Sequence, residues 1–209
     1  LIVEAPAVGP HAFVVDPSGT GAGTLVLNAD TTDYSGIGQV TLDAGATTGA
    51  MVELLMSGAA EHAAFVGHLS DADKGTLTVD DSAPIELIDF GSGAEIVFQA
   101  GEGDDVISVA PGAATNFASV TVNGGGPAGS DRLVVEGSDD ADMITYTATG
   151  ADSGTIVMAT TISFSATEAV AIDGGDGNDN FVASGDVGSN HFDLTPQGSG
   201  VSVLVVDGS

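Results

Sequence analysis

Apolar and polar positions alternate in short runs along most of this chain. Val120-Thr121-Val122 and Ile144-Thr145-Tyr146 each put apolar side chains on one face and a polar one on the other. The runs are rich in β-branched residues and are bounded by Gly, Asp, Asn, Ser or Pro, the pattern of strands separated by tight turns. It predicts strands at Gly23–Asn28, Gln39–Leu42, Thr76–Val79, Glu86–Phe90, Glu95–Phe98, Asp105–Val109 and Ser119–Val122. In the second half it predicts Arg132–Val135, Met143–Thr147, Thr155–Met158, Ile162–Ser165, Ala169–Ile172, Asn180–Ala183 and Val201–Val206. Gly49–Leu69, with its Ala, Met, Leu and Glu, has the composition of a helix.

The runs repeat. Residues 94–107 match residues 168–181, an offset of 74 that carries Asp105 onto Asp179. Upstream the offset is 79, with Leu54-Leu55-Met56 opposite Leu133-Val134-Val135 and Gly75-Thr76-Leu77 opposite Gly154-Thr155-Ile156. This alignment sets Gly49–Leu69 against the strand-like Gly129–Ala148, so strand is expected there too. At an offset of 179, Phe13–Gly19 resembles Phe192–Gly198. The chain therefore reads as a single unit, 1–209, with internal repeats at approximately 39–118 and 119–200. Repetition of short strands favours an all-β parallel β-helix or β-roll solenoid; an array of β-sandwich repeats is the alternative.

Composition adds that the core is aliphatic. Of 209 residues 43% are hydrophobic but only 5% aromatic, and 31 are Gly. The charge is more informative: 30 acidic against 2 basic residues give −28, which repels nucleic acid and anionic membrane surfaces. Binding of cations by clustered Asp, or a solvated acidic surface suited to high salt, would each account for it. No cysteine is present, so disulfides and thiolate metal sites are excluded. No apolar run is long enough to span a bilayer as a helix. The ends of the sequence look like cuts through further turns, so a piece of a longer protein is expected.

The candidate chemistry lies in the turns. Gly174-Gly175-Asp176-Gly177-Asn178-Asp179-Asn180-Phe181 reads G-G-x-G-x-D-x-apolar. Its glycines permit positive φ and expose carbonyl oxygens, and its Asp supplies a hard charged oxygen of the kind Ca²⁺ takes. The motif resembles the repeats-in-toxin, or hemolysin-type, calcium-binding nonapeptides, and the stretches around Gly124–Val135 and Gly137–Thr145 are similar to degenerate relatives in large bacterial secreted and surface proteins. The resemblance implies an extracellular, calcium-stabilised solenoid in which turn carbonyls and the Asp carboxylate bind Ca²⁺ between neighbouring coils. Carried over position by position, the implied metal residues are Gly175, Asp176, Gly177 and Asp179 in one turn and Gly101, Glu102, Gly103 and Asp105 in its earlier copy. Asp142 matches singly, and so does Asp131 once an insertion near Pro127-Ala128 is allowed; Met51 and Ala63 stand at the corresponding earlier positions. The family places its motifs in tandem, whereas here the aspartates lie 26, 11 and 37 residues apart.

Other chemistry is thinly represented. His11, His62, His68 and His191 form no metal motif, and no nucleophile elbow occurs. Lys74 and Arg132 are expected to pair with nearby Asp, and Asp71, Asp73, Asp80 and Asp81 to be solvated loop charges. The expectation is a non-enzymatic structural or adhesive module of a secreted or cell-surface protein, meeting copies of itself or other surface proteins and glycans. A carbohydrate-active β-helix (polysaccharide lyase or epimerase) and a calcium-dependent glycan-binding module are the alternatives. The first would need basic residues facing an acidic substrate, and only two are available.

Overall fold

The computed structural model describes residues 1–6, 9–56, 58–112, 115–126, 130–185, 191–196 and 202–207. It is all-β, with no helix among the described residues. In chain order the strands are β1 (Ile2–Glu4), β2 (Ala12–Gly19), β3 (Ala22–Leu27), β4 (Asp30–Tyr34), β5 (Val40–Thr47), β6 (Met51–Leu55), β7 (His62–Gly67), β8 (Gly75–Val79), β9 (Ile85–Phe90) and β10 (Ala94–Gln99). Then follow β11 (Val106–Ala110), β12 (Phe117–Asn123), β13 (Arg132–Glu136), β14 (Met143–Gly150), β15 (Ser153–Val157), β16 (Thr161–Ser165), β17 (Ala169–Asp173), β18 (Asn180–Ser184), β19 (His191–Pro196) and β20 (Ser202–Asp207).

These form two ten-stranded sheets. The first has the order β1-β5-β9-β8-β7-β11-β13-β17-β20-β19, and the second β18-β14-β15-β16-β12-β10-β6-β2-β3-β4. Between β9 and β14 each strand changes sheet and pairs in parallel with a strand of the pass before: β10 with β6, β11 with β7, β12 with β10 and β13 with β11. At β2–β4, β7–β9 and β14–β16 the chain instead stays in one sheet and folds back as an antiparallel meander. The bends suit their residues: Asn28 (φ 48°) and Asp80 (φ 40°) are types that tolerate the left-handed region. Their side-chain oxygens accept the N–H of Ala12 (3.3 Å) and of His62 (2.9 Å) at the start of each meander.

Alternation puts one face of each sheet inside. Phe65 of the first sheet meets Phe117 of the second with ring centroids 5.1 Å apart, and Phe117 meets Phe90 of the first at 5.5 Å. Around these rings Leu42, Leu54, Ile96, Ile107, Val120, Leu133 and Ile162 are fully buried in one continuous core.

Gly49–Leu69 contains β6 and β7, so its helix-forming composition is overridden by parallel pairing with β10 and β11. The alternation pattern does not identify β4, Asp30-Thr31-Thr32-Asp33-Tyr34. Only Tyr34 of this strand is buried, and backbone pairing to β3 at the sheet edge holds the strand in place.

Phe117 joins the two sheets through two ring contacts, with Phe65 and with Phe90. Phe117→Ala is expected to cost about 3–5 kcal/mol in urea unfolding, whereas Thr121→Ala, on the outer face of the same strand, should change stability by less than about 0.5 kcal/mol.

Candidate functional site

Six strands with a parallel partner are immediately preceded by an acidic residue. Glu61 stands before β7, Asp105 before β11, Asp131 before β13 and Glu168 before β17; Asp142 stands before β14 and Asp179 before β18. The first four strands are consecutive neighbours in the first sheet, and the last two are neighbours in the second. Parallel pairing therefore stacks the acids into two columns, with neighbouring strands about 4.8 Å apart.

Each column is stitched in one direction. Asp105 Oδ1 accepts the N–H of Glu61 at 2.8 Å, Asp131 Oδ1 that of Asp105 at 2.8 Å, and Glu168 Oε2 that of Asp131 at 2.7 Å. In the second column Asp179 Oδ1 accepts the N–H of Asp142 at 3.0 Å. The carboxylate always comes from the later pass and the amide from the earlier one. Bonds of this kind satisfy the backbone donor just ahead of each strand, which would otherwise be buried without a partner.

The turns leading into the acids stack as well. Gly177 has φ 125°, and a methyl group there would lie 2.6 Å from the carbonyl oxygen of Asp140 in the turn below. Gly103 is similarly pressed on Ala59, at 2.6 Å from its carbonyl carbon. These glycines are thus required by the backbone of the neighbouring pass as well as by their own φ.

The second carboxylate oxygens differ. Asp142 Oδ2 accepts both the N–H and the hydroxyl of Ser138, at 2.7 and 3.0 Å. In the later turn the N–H of Gly175 donates to Asp173 Oδ1 at 3.1 Å instead, and Asp179 Oδ2 is buried without a hydrogen-bond partner. Asp105 Oδ2 is buried and unpartnered too. Asp105 is 0% exposed and Asp131 2%. Burial pushes the Asp105 carboxyl up to about 6; the Glu61 N–H opposes the shift, and Asp131, Glu61 and Asp104 add to it. The Asp131 carboxyl is also raised, by burial first, against the Asp105 N–H and with help from Glu168 and Asp104.

The structure thus brings Asp105 together with Asp131, and Asp142 with Asp179, on different sheets. Gly101, Glu102 and Gly103 lie in the turn before β11, and Gly175, Asp176 and Gly177 in the turn before β18, with Glu102 and Asp176 exposed. Residues 127–129, the position of the insertion, lie outside the described residues, as do the side chains of β19, including His191. Among the described residues no group of three or more His, Cys, Asp or Glu is placed to hold a metal.

Glu61 and Glu168 are members that motif matching missed. The signal was an acid directly before a β-run; Ala63 is displaced by two residues as the counterpart of Asp142, and Glu61 holds that place relative to the strand. Met51 is itself the first residue of β6, and Ala50 precedes it, so no acid stands there. Asp80 is exposed, as expected of a loop charge, and also accepts the His62 amide, whereas Asp73 Oδ1 is buried without a partner. Lys74 pairs with Asp71 at 2.7 Å as expected, while Arg132 makes no ion pair among the described residues. His11 is buried, its Nε2 bonded to the Pro6 carbonyl at 2.6 Å and its Nδ1 to Asn28 Nδ2 at 3.0 Å.

Compared with protein-family models, with curated proteins and with solved structures, the chain gave no match.

Because its carboxyl titrates higher in the folded chain than the ordinary 3.8, Asp105 holds its proton more tightly folded than unfolded. Its contribution to stability is therefore most favourable at low pH and declines as pH rises from 3.8 to about 6. In chelator, Asp105→Asn is expected to raise the melting temperature relative to wild type at pH 7.5, with the difference shrinking towards pH 4; a variant equally or less stable at pH 7.5 contradicts this.

Proposed function

We propose that this chain is a non-enzymatic structural or adhesive module of a secreted or cell-surface protein, built as a β-solenoid whose acidic turns are clamped by Ca²⁺. The observation that carries the proposal is the pair of buried, unpartnered oxygens, Asp105 Oδ2 and Asp179 Oδ2, each set in a glycine-rich turn stacked on another. A buried carboxylate oxygen without a donor is costly, and a hard cation relieves that cost directly.

The residues fit a particular kind of site. Ca²⁺ takes about six to eight oxygens. With one free carboxylate oxygen per turn, most of these would be backbone carbonyls and water, as in a weak site suited to the calcium-rich exterior of cells. Asp105, with Gly101, Glu102 and Gly103, and Asp179, with Gly175, Asp176 and Gly177, would hold the ions. Asp131 and Asp142, whose carboxylates are committed to backbone amides, would take a supporting part. A bound cation would also offset the repulsion of like charges stacked along a column. The alternation of strands between two sheets with parallel pairing supports the solenoid. Because the ligands of one turn converge only in the folded state, ion binding would add to folding stability.

The test is thermal unfolding followed by circular dichroism in chelator, in millimolar Ca²⁺, and in Na⁺ at matched ionic strength. The expected result is a rise specific to Ca²⁺ that is lost in Asp105→Ala/Asp179→Ala. An equal rise with Na⁺ would mean that the acidic surface needs only screening, and the metal assignment would fall.

A further inference from the structure

His11 stands directly before β2 and is 4% exposed. It gathers three parts of the fold: the segment ahead of β2, the bend between β3 and β4, and the start of β6. Its Nε2 meets the Pro6 carbonyl oxygen at 2.6 Å, and its Nδ1 meets Asn28 Nδ2 at 3.0 Å. Its own carbonyl accepts the N–H of Met51 at 2.8 Å. Asn28, at the bend, is fixed twice more. Its Oδ1 accepts the Ala12 N–H at 3.3 Å, and its own N–H donates to the Ala12 carbonyl at 3.2 Å.

These partners decide where the ring proton sits. A backbone carbonyl only accepts, so Nε2 carries the hydrogen that meets Pro6. A backbone N–H only donates, so the side-chain oxygen of Asn28 faces Ala12 and its NH₂ group faces the ring. Nδ1 is therefore the acceptor, and the ring is neutral. A proton added at Nδ1 sets N–H against N–H. Turning the Asn28 amide repairs that contact but sets its NH₂ group against the Ala12 N–H. Neither arrangement keeps every bond, and the burial of His11 keeps solvent from replacing what the ring loses.

We propose that His11 is a proton-operated latch: neutral, it fastens the N-terminal end of the sheets, and protonated, it releases the segment before β2 and the β3–β4 bend. Histidine changes charge between about pH 5 and 8, and the net charge of −28 draws protons to the chain. Because the fold accommodates only the neutral ring, the latch holds at high pH and is lost as pH falls. The titratable groups on the elements around the ring are Glu4 of β1, Asp16 of β2, Asp30, Asp33 and Tyr34 of β4, and Glu53 of β6. None of them forms an ion pair with His11 among the described residues. His62 has the opposite character: it is exposed, with its Nδ1 3.7 Å from Asp80 Oδ1, a contact that a proton strengthens. Release matters most for β4, an edge strand with one buried side chain that pairs only with β3. Acid thus loosens this end, whereas the buried Asp105 carboxyl favours acid in the middle of the chain. The latch does not depend on the calcium reading.

The experiment is amide hydrogen exchange followed by NMR on the full chain, in chelator, at pH 7.5 and about pH 5.5, corrected for the intrinsic exchange rate at each pH. Ring-nitrogen shifts report the tautomer. The expected result is the Nε2–H tautomer at pH 7.5, and protection at Ala12, Asn28 and Met51 that falls about tenfold or more on acidification. Asn116, whose N–H is held by the Ala72 carbonyl at 2.7 Å, is the control and should keep its protection. Asn28→Asp places an acceptor opposite Nδ1 and keeps one for the Ala12 N–H, so it should reverse the pH response. His11→Gln should lower protection equally at both pH values. Circular dichroism checks that each variant keeps its fold, and the wild-type tautomer and exchange need no variant to fold. An Nδ1–H tautomer at pH 7.5 overturns the proposal, as does unchanged protection in acid or a loss shared equally by Asn116. An acid response that persists in His11→Gln, or that keeps its direction in Asn28→Asp, overturns it too. Working in chelator keeps these outcomes separate from any failure of the calcium assignment.

Discussion

Parallel pairing between successive passes is the constraint on which the rest depends. A parallel ladder requires the chain to leave the sheet and return in the same direction, and here it returns by way of the opposite sheet. Turns at the strand starts then fall one above another, which brings their backbones close enough that only glycine fits at Gly103 and Gly177. The same stacking lines up the acids. Each then meets an unsatisfied amide of the neighbouring pass, and two oxygens are left over where no donor remains.

The meanders vary this scheme without breaking it. Each replaces one strand of a pass with three, an odd number, so the chain still leaves in the direction that a single strand would have taken. The meanders at β2–β4 and β14–β16 lie in the second sheet and the one at β7–β9 in the first. Both sheets are therefore widened, and the aromatic rings of Phe13, Phe90 and Phe117 fill the space between them.

Much of the strand pattern was legible because alternation directly records which side faces the core. Val120-Thr121-Val122 is buried, exposed, buried, as its residue types require. The strands β1, β2 and β19 were not among those expected, although β2 alternates locally; the other features that escaped depend on neighbours rather than on the local run. β4 has almost no apolar face and exists through pairing to β3. Glu61 and Glu168 belong to no turn motif and acquire a role only when β7 and β17 stack beside β11 and β13. The aspartates at 105 and 179 were visible, but their burial and the commitment of one oxygen to a backbone amide follow from stacking, which a single turn does not encode. The part played by His11 was also hidden, since Pro6 and Asn28 meet its ring only in the folded chain.

The stitching bonds all point the same way along the chain, with an amide from the earlier pass and a carboxylate from the later one. For a polypeptide that emerges N-terminus first, this polarity acts as a ratchet. The segment ending in Glu61 stays loose until Asp105 arrives, Asp105 until Asp131, and Asp131 until Glu168. Each newly delivered acid secures what came before it and leaves its own amide open for the next. Order of appearance and order of consolidation then coincide, and loosening would begin from the most recently added end.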